Sequence, residues 1–431
     1  MEDLDDGVNV AVIGAGWAGM AAAVKLAQSD IPVTVFEGAR HVGGRARSVE
    51  IEGIALDNGQ HLLIGAYGET LALMRAVGAD PEQLLLRVPL AIEYPGKFSL
   101  RARRLPAPWH LLAALLCAHG LTLREKLAAV RFMEAMRRCA YRIARDLPVS
   151  DLLARHGQNG ALARFIWEPL CVSALNTPAA LASAQVFLNV LRDALASANE
   201  NSDFLIPRAA LGKLFPEPAA AFVCARGGAV RLGTAARKLE RAGSGYVLGG
   251  QSERYSHVIV AVGPHQLGPV LNSFPELATT RQCIANFAYE PIYTCYLQYP
   301  TGVCMPRPVI GLDSGIVQWI FDRGQIAGRA GLLAAVISAR SERLPLETVA
   351  SATQRELTAL LPGLPGPLWT RVIAERRATF SCRPDIERPA HETALANLYL
   401  AGDYVAGEYP ATLEAAVRSG IRAAELVHAH A

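Results

Sequence analysis

Val8 to Ile13 (VNVAVI), apolar but for Asn9, has the length and β-branched character of a strand buried on both faces. After Gly14-Ala15-Gly16-Trp17-Ala18-Gly19 the periodicity turns helical through Met20 to Ala27, and a second apolar run, Val33 to Phe36, ends on Glu37. Strand, helix and strand within about thirty residues form a βαβ unit. Between Leu105 and Asn199 apolar positions recur at helical spacing in Ala-, Leu- and Arg-rich text, with Pro106, Pro108, Pro148, Pro169 and Pro178 as expected helix boundaries. This predicts an all-helical subdomain. From Phe222 the pattern returns to short strands, expected at Tyr246–Leu248, Val258–Val262, Ile292–Gln298, Val317–Phe321 and Leu332–Ser338. The tail reads as a strand over Leu398–Ala401, a loop at Gly402-Asp403 and a last helix from about Leu413 to His428. In the Pro291–Tyr299 strand, alternation puts Tyr293, Cys295, Leu297 and Tyr299 on one face and Ile292, Thr294, Tyr296 and Gln298 on the other, one of them a candidate channel wall.

Composition narrows the picture. At 431 residues the chain is too long for a single core, so two domains are expected, and 51% hydrophobic against 19% charged residues leaves apolar surface to spare for a greasy ligand. With 42 Lys+Arg against 39 Asp+Glu and no basic-aromatic interleaving, nucleic acid is excluded as a partner. The arginine excess is local, at Arg101, Arg103 and Arg104 and again from Arg124 to Arg145, on segments with long apolar faces; an anionic membrane surface and a plain solvated helix face both fit. The eight cysteines form no C-x-x-C, which argues against zinc and a disulfide framework and suits a reducing cytoplasm. The acidic start, Met1 to Asp6, is neither a secretory signal nor a transit peptide, and the greasy stretch from Trp109 to about Leu123 is too short and too interrupted to span a bilayer.

The chemistry begins at Gly14-x-Gly16-x-x-Gly19. The first glycine permits a tight strand-to-helix turn, the second lets a pyrophosphate approach the backbone, with Ala15 and Ala18 between, and the third lets helix and strand pack closely. The helix N-terminus adds N–H donors and partial positive charge. Glu37 stands about twenty residues on, where a carboxylate accepts hydrogen bonds from ribose hydroxyls. A glycine-rich turn in an unrelated α/β protein is the bland alternative. The combination of strand, glycines, helix and terminal acid points instead to a Rossmann-type dinucleotide site.

Past Glu37 the chain reads Gly38-Ala39-Arg40-His41-Val42-Gly43-Gly44-Arg45-Ala46-Arg47, which resembles the extended fingerprint of the FAD-binding flavin amine oxidase and phytoene desaturase superfamily. The resemblance implies FAD rather than NAD, with Gly44 and Arg45 near the phosphates, where a guanidinium fork pairs two oxygens at once. Leu400-Ala401-Gly402-Asp403-Tyr404 and the stretch Glu408 to Gly420 carry it further: in such proteins Gly402 and Asp403 would meet the pyrophosphate and ribityl chain, and a helix opening near Thr412-Leu413 would point its N–H groups at the flavin. A third piece, Gly227 to Leu239, departs from the pattern at Ala236, where family members usually carry valine; the implied adenine contact is made by main-chain atoms, so little is lost. The implied organisation is an α/β fold. Its Rossmann-type FAD-binding domain (residues 1–60, 205–285 and 385–431) is interleaved with a mixed-sheet plus helical substrate domain (61–204 and 286–384, helical over about 105–200).

The segment Asp57-Asn58-Gly59-Gln60-His61-Leu62-Leu63-Ile64-Gly65-Ala66-Tyr67 narrows the resemblance to the hydroxysqualene dehydroxylase family, and Arg377-Ala378-Thr379-Phe380 and Pro410 to Gly420 agree with it. It implies reductive removal of the hydroxyl of hydroxysqualene to give squalene for hopanoid synthesis. Asn58 and Gly59 would lie at the cofactor and the polyprenyl substrate would be drawn from a membrane. Loss of an allylic hydroxyl needs an acid at the departing oxygen, and the cation left behind takes a hydride from reduced flavin. His61 is the first candidate for the acid and Gln60 for a contact at the flavin edge; each equally suits a residue that only fixes its own loop. Asp313, Trp319, Tyr404 and Glu408 are further candidates. A carotenoid-type desaturase, a flavin amine or protoporphyrinogen oxidase, and a flavin-binding scaffold without turnover remain as alternatives. No metal site is expected.

Overall fold

Five short parallel strands in the spatial order Ala229–Arg231, Val33–Phe36, Val10–Ile13, His257–Val260 and Leu398–Leu400 form the central sheet. The inner three are buried at every position, as Val- and Ile-rich strands covered on both faces must be. The helix Trp17–Gln28 packs against the sheet and against the C-terminal helix Leu413–His430. Elements far apart in sequence thus meet side by side, in the α/β arrangement expected. The computed structural model describes residues 7–195, 198–249, 251–340 and 342–430; the acidic Met1–Asp6 start and Ala431 lie outside the described residues.

A second, antiparallel sheet runs Val309–Gly311, Trp319–Asp322, Leu332–Ile337, Tyr289–Gln298 and Trp369–Phe380. The two faces of Tyr289–Gln298 separate as the alternation requires. Tyr293, Cys295, Leu297 and Tyr299 pack with Val349 and Leu357 of the helix Leu346–Leu360, so that face is structural core. Tyr296 and Thr294 face the Asp57–Gln60 segment: Tyr296 donates its hydroxyl to Asp57 O at 3.0 Å, and Thr294 Oγ1 lies 3.4 Å from Gln60 N.

Residues 109–195 are helical, but three boundaries differ from expectation. The apolar stretch after Trp109 is two helices, Trp109–Leu116 and Leu123–Arg138, the second started by a capping box between Thr122 and Glu125. Pro169 does not end a helix: a π turn, Ala163–Trp167, runs directly into Glu168–Leu175, and this wider turn accommodates the missing proline N–H. Phe222 is not the start of strand structure, because Phe222 to Ala225 close the helix Pro216–Ala225 and the next strand begins at Ala229.

Candidate functional site

The end of the first strand sets the geometry. Gly14 has φ +109°, and a Cβ there would lie 2.7 Å from Ala261 O; a Cβ on Gly19 would lie 1.9 Å from Gly14 O. Only glycine fits at either place, so strand, turn and helix close into one tight loop. Ala15 and Ala18 are buried within it. The helix that follows has Gly16 as its N-cap, no side-chain cap and no acidic residue in its first turn. Its leading N–H groups therefore have no side-chain acceptor of their own, an arrangement suited to an anion.

The second strand delivers Glu37 to this loop. Its carboxylate accepts from Ala15 N and from Ala39 N, both at 2.8 Å. The chain at 233–235 runs alongside, with Gly233 N donating to Ala39 O and Thr234 N to Glu37 O and Ala235 against Gly38, and half-buried Ala236 follows directly. The double glycine closes from the other side: Gly43 N donates to Ala15 O at 2.8 Å, and a Cβ on Gly44 would lie 3.1 Å from Gly16 Cα.

Arg45 then joins two distant segments. Its guanidinium donates to Ala378 O and to Asp403 Oδ1, both at 2.6 Å. Burial opposes its charge, but Asp403, and Glu375 beyond it, hold the guanidinium above its ordinary pKa. Asn58 bridges Arg45 O and the Glu375 carboxylate through Nδ2. Gly402 N, next to Asp403, donates to Ser419 Oγ at 2.9 Å, and that hydroxyl lies 3.1 Å from His391 Nε2. Thr412 starts the last helix by accepting from Ala415 N through Oγ1, with half-buried Leu413 as the first helical residue.

Around Gly59 the polar groups are poorly satisfied. Both amide atoms of Gln60 and the hydroxyl of Tyr404 are buried without a hydrogen-bond partner. His61 Nδ1 lies 3.0 Å from Gly59 O, so this nitrogen carries the proton and Nε2 has no partner among the described residues. Burial, with Arg45 adding to it, lowers the His61 pKa below its ordinary value. Burial and the neighbouring Asp403 push the Tyr404 hydroxyl far above its ordinary range, so it stays protonated.

The sequence-predicted residues are therefore tied together from four stretches, 14–19 with 37–45, 58–61, 233–234 and 402–403, with Thr412 and Leu413 following at the start of the last helix. Reading the sequence missed a fifth contribution. His265 packs edge-on against Tyr289 at 6.4 Å, and Arg377 lies over the same ring at 5.8 Å. Burial lowers the His265 pKa, with Arg377 and Arg45 adding to it, and burial raises that of Tyr289 against the same two arginines, which places these residues in one neighbourhood. The available signal was Gly263-Pro264, a turn directly after the parallel strand His257–Val260. The other candidates are engaged elsewhere: Asp313 in ion pairs with Lys97 and Arg164, Trp319 through Nε1 donating to Ser173 Oγ, and Glu408 in ion pairs with Arg192 and Arg142. A cleft of 530 Å³ beside the Gly402 turn is lined by His391, Tyr409, Arg418, Ser419 and Arg422, a polar wall unlike a chamber for a hydrocarbon.

Comparison with known proteins is consistent with this geometry. The Flavin containing amine oxidoreductase family matches residues 17–428. A hydroxysqualene dehydroxylase of Sinorhizobium fredii is 30% identical over 97% of this chain and 98% of its own length. A zeta-carotene desaturase of Capsicum annuum is 24% identical over 97% of this chain and 81% of its own. Among solved structures, a redesigned putrescine oxidase superposes with TM-score 0.73 at 17% identity, covering 98% of this chain and 99% of that one, a likeness of fold.

Proposed function

Because the chain belongs to the hydroxysqualene dehydroxylase family of flavin-containing amine oxidoreductases and is an FAD-dependent oxidoreductase, we propose that it removes the hydroxyl of hydroxysqualene reductively to give squalene, in isoprenoid synthesis of the hopanoid type. The observation that carries the reading is the buried Gln60 amide with no protein partner, next to a histidine whose Nε2 is free. Buried polar groups are rarely left unpaired unless a ligand completes them.

The residues fit FAD. Gly14, Ala15, Gly16, Ala18 and Gly19 offer the uncapped helix N-terminus to the pyrophosphate and Glu37 turns to the ribose. Gly44, Arg45, Gly402 and Asp403 enclose the middle of the cofactor, Ala236 lines the adenine, and Asn58, Gly59, Thr412 and Leu413 border the flavin. The corresponding division is a cofactor domain of residues 1–60, 205–285 and 385–431 with a substrate domain of 61–204 and 286–384. Reduced FAD supplies a hydride.

The protein's own part is to hold the alcohol and protonate it. The Gln60 amide donates to the substrate oxygen, and His61, fixed through Nδ1 to Gly59, carries its second proton at Nε2, the atom free to hand it on. Because burial lowers its pKa, the imidazolium is a minority species at neutral pH and a correspondingly strong acid. Tyr404 and Tyr289 add apolar ring faces that keep water from the cation left by the departing hydroxyl. The setting is the cytoplasm, against the inner face of the cytoplasmic membrane where such a substrate resides.

The test is anaerobic incubation of photoreduced enzyme with hydroxysqualene. Squalene formed in step with flavin reoxidation is the expected result. Conjugated polyenes from a saturated precursor with oxidised enzyme would instead favour the desaturase reading, which the zeta-carotene desaturase likeness keeps in play.

A further inference from the structure

Of the ten large hydrophobic side chains exposed among the described residues, six (Leu105, Trp109, Leu116, Leu123, Leu127 and Val130) fall between positions 105 and 130. Their spacing is helical. The helix Leu123–Arg138 buries Ala129, Phe132 and Met136 against the protein. On a different face it presents Leu123, Leu127 and Val130, one stripe at i, i+4 and i+7, exposed by 68%, 46% and 37%. The preceding helix, Trp109–Leu116, exposes Trp109 and Leu116, two turns apart, by 60% and 54%. The turn between the helices is fixed by the Thr122–Glu125 capping box and by Lys126, whose Nζ donates to Leu116 O at 2.7 Å. A helix that is apolar on a second, solvent-facing stripe has a second surface to cover.

Charge identifies what covers it. Residues 101–145 contain ten Lys and Arg against two acids, Glu125 and Glu134, whereas the whole chain is only +3, so everything outside this segment is net acidic. Both acids are already engaged, Glu125 in the helix cap and Glu134 with Arg137 and Arg138. A second copy of the same face would oppose a strongly positive surface with another. Nucleic acid satisfies the arginines but leaves the leucine stripe in water. An anionic bilayer satisfies both, taking apolar side chains below the headgroups and arginines at the phosphates. No helix among the described residues is long and apolar enough to cross a membrane, so the contact is a surface one.

We propose that residues 103–131 form a docking face for an anionic lipid surface, with Trp109, Leu123 and Leu127 inserted and Arg103, Arg104, Arg124 and Arg131 at the headgroup phosphates. This deepens the polyprenyl reading by naming the side from which a membrane-dissolved substrate is reached.

Co-flotation of the holoenzyme with phosphatidylcholine vesicles, with and without phosphatidylglycerol, tests it. Binding is expected with the anionic lipid and is weakened by salt. It falls at least about tenfold in Leu123→Glu/Leu127→Glu, which places carboxylates against like-charged lipid, while the bound-flavin spectrum and urea unfolding stay as in the wild type. Wild-type protein left in the aqueous fraction with anionic vesicles overturns the proposal. So does equal binding by the variant, or a wild-type dimer dissolved by the same substitutions without any vesicle binding. Turnover of detergent-dispersed hydroxysqualene keeps the two readings apart: its absence alongside intact vesicle binding removes the substrate assignment and leaves the docking face standing.

Discussion

Removing the Ser419 hydroxyl strikes the bond that holds the Gly402-Asp403 turn. Ser419 Oγ accepts from the buried Gly402 N–H and, with the imidazole neutral, donates to His391 Nε2. Ser419→Ala leaves that N–H without an acceptor, at a cost of about 1–3 kcal/mol. Acid attacks the same relay through the histidine. Burial first and Arg422 second lower His391 to about 4, and an imidazolium cannot accept from Ser419. A folded-state value below the unfolded 6.5 means that the unfolded chain binds more protons between the two. The stability from His391 is therefore complete above pH 6.5 and is lost as pH falls toward 4. Fully expressed, that gap corresponds to about 3 kcal/mol; at a part-exposed ring, solvent screening reduces it to about 1–2 kcal/mol. Urea unfolding between pH 7.5 and 4.5, about the span of this titration, followed by flavin release, reads both effects. Ser419→Ala is expected to lose about 1–3 kcal/mol at neutral pH, bind FAD about tenfold more weakly, and keep most of the acid slope, because desolvation of the ring sets that slope. His391→Asn is expected to flatten it. Ser419→Ala within about 0.5 kcal/mol of wild type, with unchanged FAD affinity, refutes the relay.

Gly19→Ala places a methyl 1.9 Å from Gly14 O, where only backbone can yield, and is expected to destabilise by more than about 4 kcal/mol, giving insoluble or colourless protein; a yellow product of normal melting temperature contradicts the tight-loop argument. His61→Asn should retain FAD while turnover falls by about 10²–10⁴. In the wild type the chemical step should speed up as pH drops below 6.5, because the His61 pKa is lowered; a rate flat through that range removes His61 as the acid. Asp403→Asn leaves the Arg45 guanidinium with Ala378 O and a neutral amide. With the Arg45 side chain 32% exposed, the loss should be roughly 2–3 kcal/mol in urea unfolding. No measurable loss would show the ion pair to be idle.

Four strands of the central sheet were legible because they are short apolar runs, the first of them next to glycines that a dinucleotide turn demands; the half-buried edge strand Ala229–Arg231 was not. The glycine turn and Glu37 could be named for the same reason, whereas Arg45, Asn58, Gly402, Asp403 and Thr412 were named only through the family resemblance of their segments. Their pairing could not: nothing local in Gly43-Gly44-Arg45 says that Arg45 will reach Asp403, 358 positions away. The strand Trp369–Phe380 was missed because its Glu375, Arg376 and Arg377 break the apolar alternation; it holds its place by antiparallel pairing with Tyr289–Gln298. The small pairs Ser48–Ile51 with Ile54–Asp57 and Ala91–Tyr94 with Phe98–Arg101 were missed too, being four residues each, too short for a period to register. Pro169 misled because a proline normally ends a helix, and only the π turn before it lets this one continue.

In the proposed site, separate stretches of backbone close around one flavin dinucleotide. Stripping the purified protein of cofactor and titrating FAD back while following flavin fluorescence measures this directly. Uptake of one FAD per chain, weakened by Ser419→Ala, is the predicted result. A folded chain that stays colourless at saturating FAD contradicts it.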